Sequence, residues 1–273
     1  MPKALTTEQV ELYRSQGYST AVPVLSAEEA NGYRADLEAW ERAAGHNLDF
    51  PEKSKSYLLF DWADALVHRP RVLDAVEDVI GPDILVYHST MWIKEARTPA
   101  YVLWHQDSTY FYLDPQDHVT AWVALSDASE AAGCVRVIPG SHLMGQLPHF
   151  DAPSEMNMIR RGQGVAGFDD QSGVALPLRA GELSLHNTRT VHASGPNDTD
   201  DRRMGFGISF IPAHVRPTGP VKPSALLVRG EDRYGHFIAE RRLGKAMSPE
   251  ARAAHTEACE RFVALQNAGF APA

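Results

Sequence analysis

The chain has 273 residues, 44% hydrophobic and 22% charged, which supplies a sizeable core and excludes a disordered chain or a coiled coil. Its net charge of −9, from 26 Lys plus Arg against 35 Asp plus Glu, disfavours phosphate backbones and so nucleic acid as a partner. Two cysteines cannot build a disulfide framework, no apolar run of ~18 residues is present to span a membrane, and the start MPKALTTEQVELYRSQGY lacks a secretory core, so a cytoplasmic location is expected.

No repeat or Pro/Gly/Ser linker divides the sequence, which reads as one domain over 1–273. Its parts are a helical segment over about 1–82, a β core over about 83–213 and a helical tail over about 214–273. Thr6 or Thr7 caps a first helix that runs to about Gln16 and stops at Gly17. Ser26 and Glu29 form a capping box before a helix over Ala30–Ala43, whose Tyr33, Leu37 and Trp40 share a face. Arg71–Ile80 repeats the pattern and ends at Gly81-Pro82. The period then changes. Ile84–Lys94, Val119–Leu125, Cys134–Ile138, Glu182–Leu185 and Gly205–Ile211 are rich in β-branched and aromatic residues and are separated by turn residues. Helices followed by many short strands predict a mainly β protein, a sandwich or barrel with flanking helices, and argue against a Rossmann-type sheet. Leu227–Phe237 reads as a polar, glycine-punctuated lid or surface loop. Ser248–Gln266 reads as a packing helix with a stripe at Ala251, His255, Cys259, Phe262 and Leu265.

Of the 12 histidines, two stand in chemical context. His105-Gln106-Asp107 places an imidazole and a carboxylate at i and i+2, on one side if the segment is extended. His192 follows a strand that begins after Gly181. Two histidines and one carboxylate form the facial triad of non-haem iron oxygenases, which leaves three coordination positions open. Arg202 and Arg203 come ten and eleven residues after His192, and Ser194 two after it. A fixed guanidinium suits a carboxylate through a bidentate, charge-assisted pair.

The stretches WHQDSTYFYLDPQDHVTAWVALSDASEAAGCVRVIPGSH (104–142) and GELSLHNTRTVHASGPNDTDDRRMGFGISFIP (181–212) resemble the phytanoyl-CoA dioxygenase family, a branch of the Fe(II)/2-oxoglutarate-dependent oxygenases. The resemblance implies a double-stranded β-helix core of the jelly-roll or cupin-like kind. It implies Fe(II) bound by His105, Asp107 and His192, the catalytic set, with 2-oxoglutarate and O2 as cosubstrates and succinate and CO2 as products. It implies Arg203 as the anchor of the 5-carboxylate, with Arg202 the neighbouring alternative, Ser194 as a supporting hydroxyl, and Trp122 and Met91 as pocket lining. Halogenating relatives carry a small residue in place of the carboxylate ligand. Asp107 is a full carboxylate, so hydroxylation is expected.

Tyr110, Phe111 and Tyr112 offer a wall, or a cage for an alkylammonium group. Asn157, Arg161 and Gln163 lie in a long connection of the kind that carries binding groups, and Arg161 suits a carboxylate, phosphate or phosphonate. Asn187 precedes the distal ligand, and His186 beside it is not expected as a fourth ligand. The fragments HQDSTYFYLDP, NMIRRGQ and LSLHNTRTVHASGPN resemble the branch that hydroxylates 2-aminoethylphosphonate and its N-methylated relatives. That implies a small polar metabolite, an aminoalkylphosphonate or a quaternary amine, handled by a monomer or homodimer without nucleic acid or membrane. Two rival classes use the same residues: a non-catalytic ligand-binding β-helix protein, and a zinc hydrolase on the same triad. An anchored dicarboxylate at Arg203 and Ser194 separates them, because a hydrolase needs no such anchor.

Overall fold

Thr6 and Ser26 both close capping boxes, with the side chains of Gln9 and Glu29 reaching back to the cap backbones, so two helices start where the sequence places them. The computed structural model describes residues 2–159, 162–169 and 171–269. Its first part holds α1 (Thr7–Gln16), β1 (Tyr18–Pro23), α2 (Ala27–Ala44), α3 (Asp61–Val67) and α4 (Pro70–Ile80). Next come β2 (Ile84–Lys94), β3 (Val102–His105), the single-turn α5 (Ser108–Phe111), β4 (Leu113–Asp114), β5 (Val119–Ala124) and β6 (Val135–Val137). The connection that follows carries β7 (His149–Asp151), β8 (Gln163–Val165) and β9 (Val174–Leu176). The remainder is β10 (Glu182–Asn187), β11 (His192–Ser194), β12 (Arg203–Pro212), β13 (Arg216–Pro217), β14 (Ser224–Arg229), β15 (Ile238–Ala239) and α6 (Pro249–Gly269).

The strands form a seven-stranded sheet in the order β1-β10-β5-β12-β2-β14-β15 and a four-stranded sheet in the order β3-β11-β6-β9, the cupin-like jelly roll expected. Helices α1 to α4 cover one face of the large sheet. Leu37, Leu66, Val72 and Val76 meet Val86, Val123, Leu185 and Phe206 there, all buried. Each such side chain contributes roughly 1.5–3 kcal/mol through removal from water. Between the sheets, Trp122 and Ala124 pack on Val135, Val137 and Leu176. Under α6, Phe262 joins Tyr87, Phe111 and Phe237. No described helix is long and apolar enough to cross a membrane.

Four strands lie where helices or a loop are expected: the two-residue β13 and β15, and the longer β1 and β14. β1 occupies the edge of the large sheet within the helical first part, and β14 pairs with β2 within the segment read as tail and loop. Both are six residues long and find their partners far along the chain. Ala21 in β1 has φ 55, which interrupts the alternation that marks a strand.

A bulge in β2 decides what faces the interior. Its pairing with β12 runs in step from Arg203↔Lys94 to Ser209↔His88 and then shifts to Phe210↔Val86, which leaves Tyr87 extra. One extra residue turns the following side chains to the other face. Ile84 and Val86 before it, and Met91 and Ile93 after it, therefore pack toward the helices. His88, Thr90 and Trp92 face a cavity instead.

Candidate active site

β3 and β11 pair antiparallel with His105 directly opposite His192, and the two imidazole centroids lie 4.1 Å apart. The HxD segment is not extended throughout. The strand ends at His105, and Asp107 adopts helical dihedrals as it starts α5. The turn still carries its carboxylate to the histidines. Asp107 Oδ1 lies 3.6 Å from His105 Nε2 and 3.7 Å from His192 Nε2. Two donors each about 2.1 Å from one ion can be separated by that much.

The hydrogen bonds around the three residues fit a metal. His105 Nδ1 donates to the Leu103 carbonyl at 2.8 Å and His192 Nδ1 to the Thr190 carbonyl at 3.0 Å, which directs both Nε2 atoms to the common point. Thr120 Oγ1 donates to Asp107 Oδ2 at 2.6 Å and so presents Oδ1. Burial, with His105 and His186 alongside, holds the His192 imidazole well below its usual range and keeps it in the neutral, ligating form. Burial opposes charge on Asp107, but the His192, His105 and His186 rings outweigh it and hold the carboxyl well below the usual range. His186 Nε2 lies 3.6 Å from Asp107 Oδ2, on the side away from the presented oxygen. The group of donor atoms within 4.8 Å of one another comprises His105, Asp107 and His192, without His186.

A pocket of about 50 Å³ opens from the triad between the sheets. Its lining includes Thr120, Trp122, His186, Ser194 and Arg203. Arg203 is 2% exposed. Its Nη1 donates to the Gly133 carbonyl at 3.1 Å, its Nε has no partner, and no carboxylate among the described residues pairs with it. Burial pushes it down to about 10, so it stays charged at neutral pH. A buried guanidinium without a counter-ion is costly, and an anionic ligand would offset that cost. The Trp122 ring stacks 5.2 Å from the guanidinium. Arg202 points elsewhere, donating to Glu41 at 2.8 Å and Glu95 at 3.0 Å.

Gly205 makes the Trp122–Arg203 stack feasible, because a Cβ there would overlap the Trp122 ring. Gly205→Ala should push the indole off Arg203 and weaken binding of an anion in this pocket about tenfold or more by loss of the cation–π contact and of pocket shape. Equilibrium titration against wild type checks this, and unchanged affinity would contradict it.

A second cavity of about 170 Å³ shares Trp92, His105 and Asp107 with the first. His88, Thr90, Tyr110, Phe111, Met158, Ile159, Phe262 and Gln266 complete its lining. Tyr110 is thus where the sequence suggests. Tyr112 ends α5 with φ 50 and lines neither cavity. Asn157 caps its own turn through Ile159 N at 3.2 Å, Gln163 donates to Asp151 at 3.0 Å, and Asn187 accepts from Arg189 N at 3.0 Å. None of the three lines either of these two cavities, and Asn157 Nδ2 and Gln163 Oε1 are buried without a hydrogen-bond partner. Arg161 lies outside the described residues. Met91 sits in the helix-facing core, turned away from the cosubstrate pocket by the β2 bulge. His88, Thr90, Trp92, Met158, Ile159, Phe262 and Gln266 are the lining residues of this cavity that sequence reasoning missed. Only the apolar stripe of α6 carried any signal for one of them.

His88 and His118 are both buried, which pushes each imidazole from the ordinary 6.5 down to about 3. Unfolding lets each titrate near 6.5, so between those values the unfolded chain holds more protons. Stability is therefore fully present above pH 6.5 and falls as pH drops toward 3, by about 1.4 kcal/mol per pH unit per histidine. Urea unfolding of the metal-free protein should show this loss between pH 6.5 and 5, and His118→Leu should remove about one proton from the slope. A flat profile across that range would refute it.

The family described as phytanoyl-CoA dioxygenase (PhyH) matches residues 13–205. A probable alpha-ketoglutarate-dependent hypophosphite dioxygenase of Stutzerimonas stutzeri is 27% identical over 229 residues, 77% of this chain and 80% of that one. The solved apo structure of a non-heme monooxygenase, ThoJ, is similar with a TM-score of 0.84 and 36% identity, over 95% of this chain and 97% of that one. A non-heme alpha-ketoglutarate-dependent carbocyclase from nogalamycin biosynthesis, SnoK, is similar with a TM-score of 0.64 and 27% identity, over 81% of this chain and 90% of that one. The relatives named here are oxygenases. With the His-Asp-His site and the match over residues 13–205, they show that the chain belongs to the phytanoyl-CoA dioxygenase family and is an Fe(II)- and 2-oxoglutarate-dependent dioxygenase.

Proposed function

We propose that His105, Asp107 and His192 hold the Fe(II), that Arg203, Ser194 and Trp122 receive the distal carboxylate of 2-oxoglutarate, and that the enzyme hydroxylates a C–H bond of a small polar metabolite. The carrying observation is the buried, counter-ion-free Arg203 in the same pocket as the triad. Bound iron supplies the oxidising chemistry with O2, by which 2-oxoglutarate is converted to succinate and CO2 and the substrate gains oxygen. The chain's residues supply placement. Thr120 holds one oxygen of Asp107 and leaves the other for the metal. Arg203 fixes the cosubstrate's far end, and Val102, Val135 and Ala193 keep water from its middle.

The second cavity is the substrate's place in this reading. Its rings, Trp92, Tyr110, Phe111 and Phe262, favour an alkylammonium group, so a quaternary amine fits the described lining better than a phosphonate. The hypophosphite dioxygenase relative supports a small polar substrate. The free, buried Cys134 and Cys259 and the charge of −9 support a cytoplasmic enzyme, monomer or homodimer, that acts on small molecules rather than on nucleic acid or lipid.

Two measurements test the reading. Succinate should form from 2-oxoglutarate with Fe(II), ascorbate and air, and its absence would remove the function. A mass screen of quaternary amines, phosphonates and amino acids should reveal a product heavier by one oxygen. Asp107 occupies the position a halide would need, so chloride-rich buffer should leave that product unchanged. A chlorinated main product would overturn hydroxylation, and a cyclised or desaturated one would change the reaction class.

A further inference from the structure

Lys94 is fully buried, with 0% exposure, and no carboxylate among the described residues pairs with it. It ends β2 directly opposite Arg203 on β12. The two strands thus bring two cations together with no anion of the protein's own. Such a pair is unfavourable unless something else justifies it. The Lys94 ammonium donates to Ser194 Oγ at 2.8 Å and to the Gly195 carbonyl. Lys94 itself does not line the cosubstrate pocket, whereas Ser194 and Arg203 do.

A serine hydroxyl has one hydrogen and two lone pairs, and an ammonium can only donate. When Lys94 is charged, as a neighbouring bound carboxylate makes it, the contact occupies a lone pair of Ser194 Oγ and leaves its hydrogen to be given elsewhere. We propose that Lys94 is a positioning residue that makes Ser194 a donor toward the distal carboxylate of 2-oxoglutarate beside Arg203. The inference rests on the cosubstrate reading above and extends it to a residue that never touches the ligand.

The surroundings agree. The groups facing Lys94 are Arg203 from β12, Cys134 ahead of β6, and Ser194 with the Gly195 carbonyl from β11 and its end. Burial first, then Arg203, pushes the Lys94 ammonium down to about 6. An arriving carboxylate supplies the counter-charge that both cations lack, and so restores the ammonium while Ser194 turns its hydrogen to the ligand.

The test is calorimetric binding to the protein loaded with Mn(II) without oxygen, with two probes. 2-Oxoglutarate carries the distal carboxylate. 2-Oxobutyrate keeps the 2-oxo acid end and lacks it. Lys94→Met keeps the length of the side chain and removes the donor. It should weaken 2-oxoglutarate about tenfold and leave 2-oxobutyrate unchanged. Ser194→Ala should cause a similar loss, and the double variant no further loss, because both changes remove one hydrogen bond. In turnover, Lys94→Met should raise KM for 2-oxoglutarate while kcat at saturation stays within about twofold. If Lys94→Met does not fold, Lys94→Gln, a shorter donor, carries the comparison with a smaller loss. Unchanged 2-oxoglutarate affinity, additive losses, or equal weakening of both probes would overturn the role of Lys94 alone. A wild-type protein that binds the two acids equally would overturn the cosubstrate reading and this inference with it.

Discussion

His192→Ala protein should lose divalent metal affinity by at least about 100-fold and form no succinate, and His105→Ala should match it. The two imidazoles face each other across one strand pair, and their Nε2 atoms converge on a single oxygen of Asp107. Nothing else described stands ready to replace either. His186 is the informative control. It approaches the opposite oxygen of Asp107, at 3.6 Å, so His186→Ala should retain most of the metal affinity. Anaerobic titration with Fe(II) separates the cases. Undiminished binding by the His192 variant, or loss in His186→Ala alone, would reassign the centre.

Arg203→Ala should raise the 2-oxoglutarate requirement from about 30-fold to several thousand-fold, the equivalent of losing a buried, charge-assisted pair worth ~2–5 kcal/mol. The neighbouring arginine gives the contrast. Arg202 sits in ion pairs with Glu41 and Glu95 away from the pocket. Arg202→Ala should therefore cost about 1 kcal/mol of stability and leave cosubstrate affinity intact. Thermal unfolding and 2-oxoglutarate titration of both variants check the pair. A silent Arg203→Ala with a damaging Arg202→Ala would move the anchor by one residue.

The candidate metal and cosubstrate residues were legible through two stretches that resemble a known family, whose ligand spacing is short and whose chemistry is restrictive. His105 and Asp107 are two apart, and Arg203 follows His192 by eleven, within one strand–turn–strand unit. Helix starts were legible for the same reason: a capping box is a four-residue signal, and Thr6 and Ser26 both form one. Features that depend on distant pairing were not. The bulge at Tyr87 exists because β12 pairs with β2 out of step there, and no residue in β2 announces it. The resemblance alone suggested Met91 as pocket lining, and His88, Thr90, Trp92 and Lys94, on the face that the bulge turns inward, went unread. β1 and β14 escaped because each is short and gains its identity from a partner far along the chain. Asn157, Gln163 and Asn187 show the converse: polar residues close to a site can bond within their own neighbourhood, here to Ile159, Asp151 and Arg189.

Helix α6 lines the second cavity, the one proposed for the substrate, with two residues of unequal freedom. Phe262 lies flat on His88, centroids 4.0 Å apart, within the aromatic cluster of Tyr87, Phe111 and Phe237, so trimming it would cost about 3–5 kcal/mol. Gln266, one helical turn later, is half-buried at the cavity's edge and belongs to no such cluster. Substrate range is therefore evolvable at one position without disturbing the oxidising centre, which rests on strands of the opposite sheet. A library confined to position 266 samples the size and polarity of the doorway while the fold, the metal and the cosubstrate stay constant. Related chains can diverge in what they oxidise by this route long before they diverge in how.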